Sequence, residues 1–310
     1  MQEHTAASSY KNERSSVVTI GTFDGVHIGH KEILKKLTLT ARKEDLDSVV
    51  LTFFPHPRMV LQQDNSIRLI NTITEKKELL QKTGLDHLVI HPFTMAFSRL
   101  TALEFVRDIL VNTLKARKII IGYDHRFGRN RNADIEDLRE FGKTYNFEVE
   151  EISAQELDEV AVSSTKIRKA LKEGDINTAN RYLGYPFMIT GTVVNGRGIG
   201  KKLRFPTANL HIHETYKLIP KNGVYVVFSE INGSIVYGIT SIGTNPTVGG
   251  KHRTVETFFL DFEGDLYEKE LRIEFMTHIR DEEKFKSVEA LQDAIKKDEK
   301  FARNYVKSLE

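Results

Sequence analysis

The chain contains no cysteine. That excludes disulfides and thiol catalysis, and it fits a reducing cytoplasm. Charge of either sign is not in excess. The 45 basic and 43 acidic side chains leave a net +2, too little for a strong nucleic-acid or membrane field. No stretch of about 18 apolar residues exists, so nothing reads as a membrane span. Residues 1–16 are polar and lack the apolar core of a secretory signal, and the first dozen read as poorly ordered. Repeats and low-complexity tracts are absent too. What is there is 310 residues of ordinary apolar and charged content, a length that suggests about two domains.

The first part alternates between strand and helix patterns. Val17–Ile20, Ser48–Phe54, His87–His91 and Lys118–Ile121 are short apolar runs of the kind that form buried strands. Helical periodicity falls near Lys31–Lys43, Glu75–Lys82, Ala102–Leu114 and Ile135–Tyr145. Such alternation predicts an α/β domain with a doubly wound parallel sheet over about 15–184. Near Gly184-Tyr185-Pro186 the character changes. Met188–Val194, Gly223–Phe228, Ile235–Ile242, Thr254–Leu260 and Glu270–Phe275 are β-rich and separated by turn residues. They predict a mostly β barrel or sandwich over 185–310. Phe285, Val288, Leu291 and Ile295 then recur at helical spacing and predict a closing amphipathic helix.

Ligands of parallel sheets bind at the carboxyl ends of the strands. After the first strand comes Gly21-Thr22-Phe23-Asp24-Gly25-Val26-His27-Ile28-Gly29-His30, a glycine-punctuated turn leading into a helix. Unpaired N–H groups and the helix dipole favour an anion there. His27 and His30, three apart, face the same way. As metal ligands they would need His56 or distant carboxylates. Phe54-Pro55-His56-Pro57 follows the second strand, and Gly122-Tyr123-Asp124-His125-Arg126-Phe127-Gly128 the fourth. Ser163-Ser164-Thr165-Lys166-Ile167-Arg168 opens a helix. Its hydroxyls are either N-caps or, with Arg168, phosphate contacts.

The His-x-Gly-His turn resembles the nucleotidyltransferase signature. Taken with Phe-Phe-Pro-His-Pro and Ser-Ser-Thr-Lys-Ile-Arg in this order, the chain resembles the bacterial bifunctional riboflavin kinase/FMN adenylyltransferases over nearly its whole length. The resemblance implies ATP contacts at Gly21, Phe23, Gly25, His27, His30, Ser164, Thr165 and Arg168. It implies a flavin or nucleotide loop with His56, Asp124 and Phe127. Asp24 is either a water-mediated partner of Mg²⁺ or a turn former.

In the second part, Gly196-Arg197-Gly198-Ile199-Gly200-Lys201-Lys202 fits neither a Walker A nor a Rossmann template. Five residues on, Phe205-Pro206-Thr207-Ala208-Asn209 puts a hydroxyl and an amide two apart, on one face of an extended segment. Both are oxygen ligands that Mg²⁺ accepts. The combined run resembles the riboflavin kinase signature, with Arg204 where glycine is common. That resemblance implies a kinase ATP loop at Gly196, Gly198, Gly200 and Lys201, and magnesium on Thr207 and Asn209. It also implies a catalytic base at Glu256 of Val255-Glu256-Thr257-Phe258-Phe259. Gly243-Thr244-Asn245-Pro246-Thr247 reads as a loop bordering that site, with Asn245 supporting it.

The expected activity is riboflavin to FMN, then FMN to FAD, with ATP and Mg²⁺ at each step. Partners are small molecules, with neither nucleic acid nor membrane. The oligomeric state is not legible. A class I aminoacyl-tRNA synthetase-like enzyme would share the His-x-Gly-His turn, but this chain lacks a Lys-Met-Ser-Lys-Ser-like segment. A non-catalytic flavin-binding regulator would not need both phosphate motifs and Glu256.

Overall fold

The computed structural model describes the chain except residues 63–66, 123–124, 154–161, 197–199, 201–204, 248–249 and 310, and except the side chains of 245–252. Two compact units divide it, Met1–Ser164 and Thr165–Glu310.

The first unit is an α/β domain around a parallel sheet. Among the described residues the strands are β1 (Gln2–His4), β2 (Ser16–Ile20), β3 (Asp47–Phe54), β4 (His87–Pro92), β5 (Ala116–Gly122) and β6 (Glu148–Ile152), in the order β1-β4-β3-β2-β5-β6. Helices α1 (Ile28–Glu44), α2 (Pro57–Leu61), α3 (Ile73–Gln81), α4 (Ala102–Glu104) and α5 (Ile135–Tyr145) lie between strands, and α4 continues as π-helical turns over Phe105–Thr113. Central strands are apolar on both faces because both are covered. Val18, Ile20, Val49, Leu51, Ile119 and Ile121 pack with Phe105, Leu110 and Leu138. Val17, Val50 and Ile120 face the opposite layer with Leu34, Leu37 and Leu80. The period-2 alternation of side chains divides them this way.

Two strands depart from the sequence expectation. The polar lead-in is ordered: β1 pairs in parallel with β4, Glu3 opposite Leu88. His4 is buried, with Nε2 3.1 Å from Nδ1 of His87, and the Ala7 N–H donates to Nδ1 of His91 at 3.0 Å. No apolar period announces β1, because polar side-chain contacts hold it. β6 reads Glu-Val-Glu-Glu-Ile and sits at the sheet edge. Its carboxylates pair with Lys36, Lys118 and Arg139, which suits an edge strand.

In the second unit, β7 (Met188–Val194), β8 (Ala208–His211), β9 (Gly223–Ile231), β10 (Ser234–Thr247), β11 (Gly250–Phe259) and β12 (Glu270–Asp281) close an antiparallel barrel, β10-β11-β8-β7-β12-β9. The expected loop over Gly243–Thr247 is strand, because β10 stays paired with β11 as far as Thr247–Gly250. The closing helix α8 (Val288–Lys307) covers Val224, Val226 and Ile239 on the outer face. Arg280 pins it through paired hydrogen bonds to the buried Asp298. Helices α6 (Ser164–Glu173) and α7 (Ile176–Leu183) precede the barrel. The Lys221 N–H donates to the Leu171 carbonyl at 2.9 Å, and Asn180 bonds the backbone of Phe275 and Phe187, each at 2.7 Å. The packing division therefore falls ahead of the composition change at Gly184.

Candidate active sites

In the first unit the loops after β2, β3 and β5 leave the same edge of the sheet, as parallel pairing requires. The turn after β2 is tightly wound, with positive φ at Phe23 (46°), Gly25 (91°) and Val26 (34°). Only glycine takes such a φ freely, so Phe23 and Val26 are held there by their surroundings. Three braces are visible. The Thr22 carbonyl accepts from Lys76 Nζ at 2.7 Å and from Thr52 Oγ1 at 3.2 Å. One carboxylate oxygen of Asp24 accepts the N–H of Ile70 at 2.9 Å. The Asp24 carbonyl accepts the Ser164 hydroxyl at 2.8 Å. Asp24 is 1% exposed; of its two sequence readings, the structure shows the turn former.

His27 caps α1, its Nδ1 accepting the His30 N–H at 3.3 Å. That bond leaves Nε2 to carry the hydrogen of a neutral ring. The two rings stack at 3.6 Å between centroids, 15° apart in plane. Burial, then the charges of His27 and Lys76, hold the His30 imidazole well below its usual value, so it is neutral. Its Nδ1 is buried with no hydrogen-bond partner among the described residues. Two adjacent imidazoles at a helix N-terminus, that of His30 neutral, suit phosphate oxygens.

The other expected residues fall variously. Gly21 lies against the Phe23 ring. Ser164 belongs to the first unit, whereas Thr165 and Arg168, three apart on α6, fall in the second. His56 caps α2, its Nδ1 accepting the Arg58 N–H at 3.2 Å. Phe127 is buried core, its ring 6.0 Å from that of Phe105, rather than an open loop residue. Asp124 lies outside the described residues.

Sequence reading missed two features here. One is the segment Leu69–Lys76 that braces the turn; the capping box Thr72-x-x-Glu75 is its legible signal. The other is an aromatic cluster at the ends of β3 and β4. Phe53, Phe93 and Phe97 lie 5.5–5.7 Å apart, and Phe97 covers His91 at 4.5 Å. These phenylalanines come from different elements, so no sequence spacing marks them.

In the second unit Asn209 on β8 stands opposite both Glu256 on β11 and Val194 on β7. Ser241 on β10 is the next residue along the Glu256 rung. Directly opposed residues share a face. Val255 and Thr257 are buried on the inner face, so the half-buried Glu256 lies on the outer one with Asn209. It does not point into the barrel. Gly196 meets the Asn209 side chain so closely that a Cβ there would sit 2.2 Å from Nδ2, and a Cβ on Gly200 would sit 3.3 Å from Thr207 Oγ1. Gly196, Gly200, Thr207, Asn209 and Glu256 are thus neighbours. Gly198 and Lys201 lie outside the described residues. Asn245 pairs with His252 across the β10–β11 ladder, its side chain undescribed.

The mouth of that ladder carries a network that the sequence did not suggest. Glu282 accepts the Thr244 N–H at 3.0 Å and Asn222 Nδ2 at 2.8 Å, while Arg253 Nε donates to Asn222 Oδ1 at 2.8 Å.

A family model described as FAD synthetase matches residues 9–166, and one described as riboflavin kinase matches 183–306. A bifunctional riboflavin kinase/FMN adenylyltransferase of Listeria monocytogenes is 35% identical, covering 99% of this chain and 98% of that protein. The enzyme of the same description from Buchnera aphidicola subsp. Schizaphis graminum is 38% identical over 95% of each. A crystal structure described as a macrolide-efflux protein from Streptococcus pneumoniae superposes with a TM-score of 0.89 at 32% identity, covering 98% of both chains. The chain belongs to the family of bifunctional riboflavin kinase/FMN adenylyltransferases.

Proposed function

We propose that the two activities of this flavin-synthesising enzyme divide at about residue 184, with adenylyl transfer in the part before it and phosphorylation in the part after it. The observation that carries this is the separation of two chemically different clusters: stacked imidazoles on a braced turn, and a carboxylate beside neutral oxygens on a barrel face.

In the adenylyl-transfer half, an FMN phosphate oxygen attacks the α-phosphorus of ATP, the bond to the β-phosphate oxygen breaks, and pyrophosphate leaves. The attacking phosphate, with a second pKa of about 6, is already largely ionised at neutral pH. No general base is needed; alignment and charge stabilisation are. His27 and His30 donate to phosphate oxygens, and the N–H groups opening α1 add to them. The family motif assigns Ser164, Thr165 and Arg168 to the same nucleotide, with His56 at its edge. The aromatic cluster of Phe53, Phe93 and Phe97 offers rings of the kind on which an isoalloxazine packs.

In the kinase half, the terminal ribityl hydroxyl attacks the γ-phosphorus and ADP leaves. That hydroxyl is not ionised at neutral pH, so a base is useful. Glu256 accepts its proton. Thr207 and Asn209 fit Mg²⁺ as neutral oxygen ligands whose shell ATP phosphates and water complete, and the ion would neutralise charge on the transferring phosphate. The close approach of Gly196 and Gly200 to these two side chains supports that reading. Asp24, engaged with backbone N–H groups, does not fit as a metal partner. A reducing, ATP-supplied cytoplasm suits a cysteine-free enzyme that uses ATP at both steps.

The test is a double dissociation, followed by chromatography of the flavins. Glu256→Gln keeps shape and removes the base; FMN formation should fall by a hundredfold or more, about the upper scale of one general base, while supplied FMN is still converted to FAD. His27→Ala should lose FAD formation by roughly tenfold to a thousandfold, the scale of one oxyanion-type donor, and keep FMN formation. Equal loss of both activities in either variant would refute the division.

A further inference from the structure

Lys76 follows the Thr72–Glu75 capping box on α3 and is buried, 3% exposed. Its Nζ donates to the Thr22 carbonyl at 2.7 Å. Thr22 lies inside the turn that carries His27 and His30, and its carbonyl also accepts the Thr52 hydroxyl. Burying an ammonium is costly unless its charge is used or compensated. The carboxylate that compensates it is Asp24 of the same turn. His30 faces it from α1 and is disfavoured as a cation by its charge. On its own helix, one Glu75 oxygen accepts the Thr72 N–H at 2.9 Å. A methionine would fill the same space, and Thr52 already serves the carbonyl. What the lysine adds is a positive charge directly behind the turn expected to receive a triphosphate.

We propose that Lys76 is a positioning residue for adenylyl transfer, its ammonium holding the Thr22 carbonyl so that His27 and His30 stand ready for an anionic nucleotide. This rests on the reading of those histidines as phosphate contacts. A charge-assisted hydrogen bond is roughly twice as strong as a neutral one, so the turn is held best while Lys76 is protonated. Burial outweighs Asp24 and brings Lys76 down to about 8. The ammonium is therefore present below that pH and lost above it.

The experiment uses the full chain, with FMN adenylylation and riboflavin phosphorylation measured on one preparation from about pH 7 to about pH 9.5, a range straddling that value. Both reactions consume the same magnesium–ATP, so titration of the substrate shows in both. Adenylylation should fall as the pH rises through about 8, and phosphorylation should not. Lys76→Met should lower kcat for adenylylation at least about tenfold, the scale of a hydrogen bond to a charged group, leave phosphorylation unchanged, and lack the alkaline limb. Lys76→Arg, which stays charged, should restore activity and carry it through the alkaline range. A parent profile without an adenylylation-specific limb overturns the proposal. So does a Lys76→Met enzyme with parental adenylylation. Loss in Lys76→Met beside a flat parent profile assigns mere packing and also overturns it. His27→Ala separates the two readings. If it leaves adenylylation intact, the histidine assignment itself fails. If it abolishes adenylylation while Lys76 variants do not, only the inference about Lys76 fails.

Discussion

At the scale of single residues, close packing and charge placement decide what each motif can do. Gly196 shows the packing side. Glycine is required there because the Asn209 amide occupies the place a Cβ would take. Gly196→Ala must displace the Asn209 side chain from its place beside Gly196. It should lower kinase turnover by tenfold or more, the scale of a slightly misplaced positioning group. It should raise the magnesium concentration needed for half-maximal rate, and leave FMN adenylylation at the parental rate. Kinase activity unchanged across a magnesium titration would mean that Asn209 holds no ion. His30 shows the charge side: its neutrality comes from burial and neighbouring cations, which no motif displays.

At the scale of elements, β1 is the informative case. It is short, polar and at a sheet edge, and it is held by His4, His87 and His91 rather than by apolar packing. Burial lowers both His87 and His91 from the usual value of 6.5. Each is thus neutral in the folded pairing and gains a proton more readily once released. The stability that these rings contribute is fully present above about 6.5 and is lost as the pH falls below it. Asp47 opposes this at His87 without overturning it. The protection of the Gln2–His4 amides, after correction for the intrinsic pH dependence of exchange, should therefore fall on acidification from pH 7 to about 5.5, ahead of any change in the central strands. Equal protection at both values would show that β1 does not depend on neutral histidines. In contrast, α8 is secured by Arg280 paired with the buried Asp298.

At the scale of the whole molecule, packing and family boundaries differ. The kinase model begins at residue 183, yet α6 and α7 pack on the barrel. Ile167, Leu171, Ile176 and Leu183 of these helices are at most 1% exposed. Each such side chain contributes about 1.5–3 kcal/mol on burial. A fragment of about 185–310 carries the residues proposed for the kinase site but loses this layer. It should phosphorylate riboflavin and yet unfold at a lower temperature than a fragment of 165–310, by thermal denaturation followed by circular dichroism. Equal midpoints would mean that the two helices add nothing to the barrel. A folded 165–310 fragment without kinase activity would place part of that site elsewhere.

Much was legible in sequence because it depends on local order. Apolar runs announced the central strands β2 to β5, since strands covered on both faces must be apolar throughout. Periodicity announced α5 at its observed limits. The two signatures announced the family, since binding phosphate or magnesium constrains residues close together in the chain. What periodicity could not announce was held by polar contacts or by partners far away in sequence: β1 through histidines, β6 through ion pairs, and the strand run of Gly243–Thr247 through its ladder with β11. The face on which Glu256 stands followed from barrel register alone. So did the meeting of Asn209 with Glu256, while only the folded core brings Lys76 to Thr22. Sequence determined which chemical groups this enzyme carries and in which half. Tertiary structure decided which of them touch, because contact between distant residues depends on register and packing that no single segment contains.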